Sequence, residues 1–133
     1  LEAALDQILV EGLEKRVRRH RIIAEACRSA MMAMGLNLVA EIGYAADTVT
    51  SIFYPEGVSD AAFREEMAKN HVIVARGFGQ LEGKMFRIGH MGVVNTNDIM
   101  ATVAATERAM KKCGHHFEYG AGCRAAQMQL EKL

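Results

Sequence analysis

The short run Lys84 to Gly92, reading KMFRIGHMG, holds the residues most ready to meet a ligand. Alternation along a strand puts Phe86 and Ile88 on one face and Arg87 on the other, beside Gly89. If the apolar pair faces a core, the guanidinium stands outside it, next to a residue with no side chain. A planar guanidinium so placed can give two parallel hydrogen bonds to a carboxylate or phosphate. Arg87 is therefore a candidate anion clamp, the competing reading being a surface arginine in an ion pair. His90 falls on the Phe86 and Ile88 side, which predicts a hydrogen-bonded residue near the core in preference to a general base.

Other groupings carry less. Gly77, Gly79 and Gly83 are spaced G-x-G-x-x-x-G and precede a strand, so they fit neither the dinucleotide fingerprint nor the P-loop and are read as turn residues. Cys113, His115, His116 and Cys123 lack the paired blocks of a structural zinc site, and no metal is expected. Lys15, Arg16, Arg18, Arg19 and Arg21 form a basic block, but a helix spreads them around its circumference, where Glu11, Glu14 and Glu25 can pair with them. That block is read as solvated or interdomain surface. The nine methionines, among them Met31, Met32 and Met34, are expected in the core or on a docking surface.

Bulk properties narrow the classes. The 133 residues are 50% apolar and 24% charged, the composition of one globular unit. Basic and acidic residues number 16 each, so the chain lacks the positive excess that a nucleic-acid binder normally shows. No apolar run is long enough to span a membrane, and no leader pattern opens the chain. Cys27, Cys113 and Cys123, an odd number far apart, suit reduced thiols. A cytoplasmic protein without nucleic-acid or membrane partners is expected.

These residues must be positioned by a few short elements. Leu5, Leu9, Leu13, Val17, Ile23, Cys27 and Met31 recur at helical spacing, predicting a long helix over residues 1–34 that begins without a cap. At about 1.5 Å per residue it would be about 50 Å long, too long for a domain of this size, and Arg16 and His20 interrupt its apolar stripe. Its halves are therefore expected to pack on two bodies, one of them absent; the alternative is a bend at Gly12. Gly35 should end the helix. Strands are expected at residues 36–39, 48–54, 71–75 and 84–90. One helix should run over 60–69 behind a Ser59 cap, with Val58 and Phe63 as a staple, and another from about Asn97 to Cys113 behind Thr96 or a neighbouring Asn. The predicted class is α+β: a two-layer sandwich with a small, mostly antiparallel sheet and helices on one face, preceded by the long N-terminal helix. Residues 1–34 form that helix and residues 35–133 one small domain.

Phe86 to Gly92, FRIGHMG, resembles a signature near the C-terminal end of class V aminotransferases of the alanine-glyoxylate and serine-pyruvate type, which are fold type I pyridoxal phosphate enzymes. GLEKRVRRHR (Gly12 to Arg21) resembles their helix between large and small domains, and VTSIFYPEGV (Val49 to Val58) their first small-domain strand and turn. LEGKMFRIGHMG (Leu81 to Gly92) and YGAGCRAAQ (Tyr119 to Gln127) match in the same order. The resemblance implies the small C-terminal domain of such an enzyme, with residues 1–34 as the interdomain helix and the large cofactor-binding domain absent. It implies that Arg87 is the substrate-binding residue, gripping the carboxylate while an amino group passes between a small amino acid, alanine- or serine-like, and a glyoxylate- or pyruvate-like 2-oxo acid. Pyridoxal 5'-phosphate would act as electron sink, held by a lysine of the large domain to which none of Lys15, Lys69, Lys84, Lys111, Lys112 or Lys132 corresponds. The chain alone is thus expected to hold no catalytic or cofactor-binding residue and to be inactive. Its implied partners are the large domain of its parent chain and, in the parent, a second copy as a homodimer. Arg76 would lie near the substrate entrance, without an assigned role. The reading from another class is a non-catalytic α+β module that binds a small carboxylate or a partner protein through the same face.

Overall fold

The computed structural model describes residues 1–41 and 43–133. The helix expected over 1–34 is divided into α1 (Glu2–Glu11) and α2 (Leu13–Ala33). Gly12 divides them with φ 84° and ψ 135°, a conformation open to a residue without Cβ and incompatible with a continuing helix. Glu11 fixes the break, because its carboxylate reaches past Gly12 to Arg16 and Arg19 on α2 at 2.8 and 2.6 Å. At the far end, Gly35 takes φ 75°, and the Gly35 and Leu36 amides donate to the Met32 and Met31 carbonyls, a Schellman ending.

Three strands follow, β1 (Val49–Phe53), β2 (Ala75–Arg76) and β3 (Met85–Gly89), in the antiparallel order β1-β3-β2. The strand expected at 36–39 is reduced to one bridge, Leu38 to Ile52, because only Asn37 and Val39 exchange backbone hydrogen bonds with β1. The strand expected over 71–75 is likewise short. His71 adopts φ 59° and continues the turn out of the preceding helix, so pairing with β3 starts at Ala75. That helix, α3 (Asp60–Lys69), has its Ser59 cap, with the Ala62 amide donating to Ser59 Oγ, and Val58 and Phe63 both enter the core.

The long helix α4 (Thr96–Lys112) begins in a reciprocal capping box of Asn95 with Asp98. A further helix, α5 (Ala121–Leu130), is absent from the expected order. It starts at Gly120 in the left-handed region without a local side-chain cap. Its cap comes from α4: the buried Glu107 carboxylate accepts from the Gly120, Gly122 and Cys123 amides at 2.9, 2.8 and 3.1 Å. Gly122 lies so close to Glu107 and the Ala30 carbonyl that α5 is drawn onto α2, its main partner.

The core lies between the helices and one face of the sheet. Thr50, Ile52, Phe86 and Ile88 point into it, where Phe86 meets Phe63 with ring centroids 4.5 Å apart and Tyr54 at 5.3 Å. Met31, Met34, Met67, Met85 and Met110 are buried, whereas Met32, Met91 and Met128 are exposed. The architecture is the expected small α+β sandwich.

Candidate functional site

The inward turn of Phe86 and Ile88 forces Arg87 to the outer face of the central strand. Directly opposite it in the register stand Ser51 on β1 and Ala75 on β2, and Gly89 follows on its own strand. Residues facing each other across a ladder share a face, so the guanidinium rises beside two small side chains, Ser51 and Ala75, and the bare backbone of Gly89. Its Nε–H donates to the Arg76 carbonyl at 3.1 Å, and its carbon lies 5.1 Å from the centre of the Phe78 ring. Among the described residues, neither terminal nitrogen has a hydrogen bond or an ion pair. The side chain is thus held at one edge and one face, with the edge that matches a carboxylate left open.

The neighbouring charges are committed elsewhere. Arg76 lies 3.7 Å from Glu82, so that carboxylate pairs away from Arg87. Arg87 itself lines neither of two cavities beside the sheet. One of about 500 Å³ is bounded by Arg28, Met32, Leu38, Gln129 and Lys132, and a smaller one reaches Ser51 from the 38–46 side. An anion at Arg87 would meet this chain from one side only.

His90, at the end of the same strand, is fully buried. Its Nε2 shares a 2.8 Å hydrogen bond with Thr50 Oγ1, and its Nδ1 has no partner among the described residues. Burial holds its pKa down at about 4. It is a neutral core residue, as alternation along the strand predicts. Cys27 packs beside Thr50 and is inert for the same reason, burial raising its pKa to about 11.

The loop after β3 is tied to α2. His20 Nδ1–H donates to the Arg16 carbonyl and its Nε2 accepts the Gly92 amide at 3.1 Å, while Arg19 donates to the Gly92 and Val94 carbonyls. Arg16 and Arg19 of the basic block are therefore spent inside the fold. In the Cys113 to Cys123 segment, His115 Nε2 bonds the Met34 carbonyl at 2.7 Å and the Cys123 backbone amide donates to Glu107.

The lysines do not suit a cofactor aldehyde, which needs an enclosed amine able to lose its proton. Lys69 is bridged by Glu65 and Glu66, which raise its pKa to a value incompatible with a free amine at neutral pH. Lys111 lies over the Phe117 and Tyr119 rings and bonds the Phe117 carbonyl, and Lys132 bonds Gln129. Lys15, Lys84 and Lys112 are exposed on the surface. None of the six lysines is an enclosed, unpaired amine of that kind. The long α4 and the other described helices also include none long and apolar enough to cross a membrane.

No family model matches the chain. An uncharacterized aminotransferase of Methanocaldococcus jannaschii is 45% identical over 115 residues, covering 86% of this chain and 30% of that protein. A protein named as the small subunit of a soluble hydrogenase from a Synechococcus strain is 38% identical, covering 98% of this chain and 34% of its own length. A serine-glyoxylate aminotransferase of Methylorubrum extorquens is 34% identical, over 99% of this chain and 33% of the enzyme. The crystal structure of pyridoxamine-pyruvate aminotransferase from Mesorhizobium loti superposes with a TM-score of 0.91 at 34% identity, over 96% of this chain and 33% of that one. The chain spans about a third of the length of these relatives.

Proposed function

We propose, for a chain that matches a C-terminal fragment of class V aminotransferases, that it is the substrate-side domain of such an enzyme and that Arg87 grips the substrate carboxylate. The observation that carries the reading is the open fork of Arg87, a cation held at Nε and over an aromatic face with its two terminal nitrogens free to bind a planar anion. Relatives named for glyoxylate and pyruvate support a small 2-oxo acid as acceptor and a small amino acid, alanine- or serine-like, as donor. Relatives named as aminotransferases do not favour the reading of a non-catalytic module.

In this proposal the other side of the site belongs to a large domain. Two features support it. Arg87 stands on an open sheet face, and α1 buries none of its residues, leaving Leu5, Leu9 and Val10 exposed along with Leu13 and Val17 of α2. An amphipathic stripe of that size is a docking surface in want of its partner. Pyridoxal phosphate would be held by that absent part, since the lysines here are paired or on the open surface. A homodimer of the parent and a cytoplasmic location are part of the same proposal.

The test compares this chain with the parent-length product of its gene, each mixed with pyridoxal phosphate and followed by absorbance. The parent-length product should show a protein-bound cofactor band that changes on adding alanine or serine, and the 133-residue chain should show neither. A cofactor band on the short chain, reducible onto one of its lysines, would overturn the assignment.

A further inference from the structure

The loop between β2 and β3 spends an aromatic residue in an unusual way. Phe78 is 67% exposed, so its ring adds little to the core. The backbone around it is nevertheless tightly specified. A Cβ on Gly77 would lie 2.2 Å from the Leu81 carbonyl oxygen, so only glycine lets the loop fold back this closely, and Gly79 enters the following turn, Gly79–Leu81, at φ 57°. Between them Phe78 is extended, and its ring is presented to the Arg87 guanidinium at 5.1 Å.

We propose that Phe78 is a positioning residue for Arg87, a platform that fixes the guanidinium plane while leaving its charge unspent. This rests on the reading of Arg87 as a carboxylate clamp. A carboxylate partner would also immobilise Arg87, but it would occupy the terminal nitrogens and neutralise the charge that the ligand needs. A ring under one face holds the plane through the attraction of a cation for the aromatic quadrupole and competes for no hydrogen bond. The nearest acid on the loop, Glu82, is engaged with Arg76, and the Arg76 carbonyl takes only the Nε–H. With edge and face both fixed, the two terminal nitrogens point in one direction, and a carboxylate binds without first ordering a flexible side chain.

The experiment is nuclear magnetic resonance of the labelled 133-residue chain, wild type against Phe78→Leu and Phe78→Tyr, with pyruvate as the titrant. In the wild type the Arg87 side-chain protons should be shifted upfield by the ring, and the Nε–H should exchange slowly. Phe78→Leu should abolish that shift and speed the exchange, Phe78→Tyr should keep both, and all three melting temperatures should agree. Pyruvate should perturb Arg87, with an affinity about two- to fivefold weaker in Phe78→Leu and restored in Phe78→Tyr. Arg87 resonances that are the same in Phe78→Leu as in wild type would overturn the platform. Ring shifts that behave as expected, with no response of wild-type Arg87 to pyruvate, would support the platform and sink the carboxylate clamp.

Discussion

The proposed role of Arg87 as an anion grip rests on what surrounds it. Ser51, Ala75 and Gly89 leave room above the sheet, and among the described residues no acid occupies its terminal nitrogens. That outward placement was legible in the sequence, because alternation fixes which side of a strand a residue takes once Phe86 and Ile88 are assigned to the core. Phe78 was not legible, since its contact with Arg87 depends on a loop closed by the approach of Gly77 to Leu81, to which no periodicity points. The same alternation places His90 on the core side, and its burial has a measurable consequence. Its pKa is about 4 in the fold against an ordinary 6.5, so the unfolded chain binds more protons between those values. Stability contributed by neutral His90 is fully present above pH 6.5 and falls as pH drops toward 4, by up to about 3 kcal/mol. Urea unfolding at stepped pH should show this decline, and His90→Gln should flatten it. Glu11, held at about 2 by its bonds to Arg19 and Arg16, loses its contribution only at lower pH, below its ordinary 4.5, so the upper part of the decline belongs to His90.

At the scale of elements, the helices with local signals were placed well. Ser59 and the Asn95 to Asp98 box announce α3 and α4 in their own sequences. The start of α5 has no such signal, because its cap is Glu107, more than a dozen residues upstream on α4. Local reading therefore passes over it. This long-range cap satisfies three amide donors at the start of α5, of which Gly122 is buried and Gly120 and Cys123 are half-buried. Glu107→Ala is expected to destabilise the chain by about 2 to 4 kcal/mol and to melt α5 from α2, visible as faster amide exchange at Gly122 and Cys123. Glu107→Gln keeps one acceptor oxygen and should cost about half as much. Equal stability of Glu107→Ala and wild type would show that α5 is held by packing alone. The strand expected at 71–75 is shorter for a related reason: β-branched Val72, Ile73 and Val74 suggest a strand, but a left-handed His71 delays the pairing to Ala75.

At the scale of the whole molecule, three observations support the proposal that this chain supplies one side of a site. Its sheet presents a cation to open space, its first helix buries nothing, and its relatives are three times as long. The sequence showed the imbalance through an apolar stripe too long for its own domain. The break at Gly12 stands in the sequence only as the alternative to a continuous helix, because one glycine among good helix formers is compatible with either, and the Glu11 carboxylate that clamps the bend acts through Arg16 and Arg19 on the next helix. The most direct measurement is the kcat/KM of the parent-length enzyme for glyoxylate, wild type against Arg87→Lys. Lysine keeps the charge and loses the fork, so kcat/KM should fall about 10- to 100-fold, with the melting temperature unchanged. An Arg87→Lys enzyme as efficient as wild type would contradict the account.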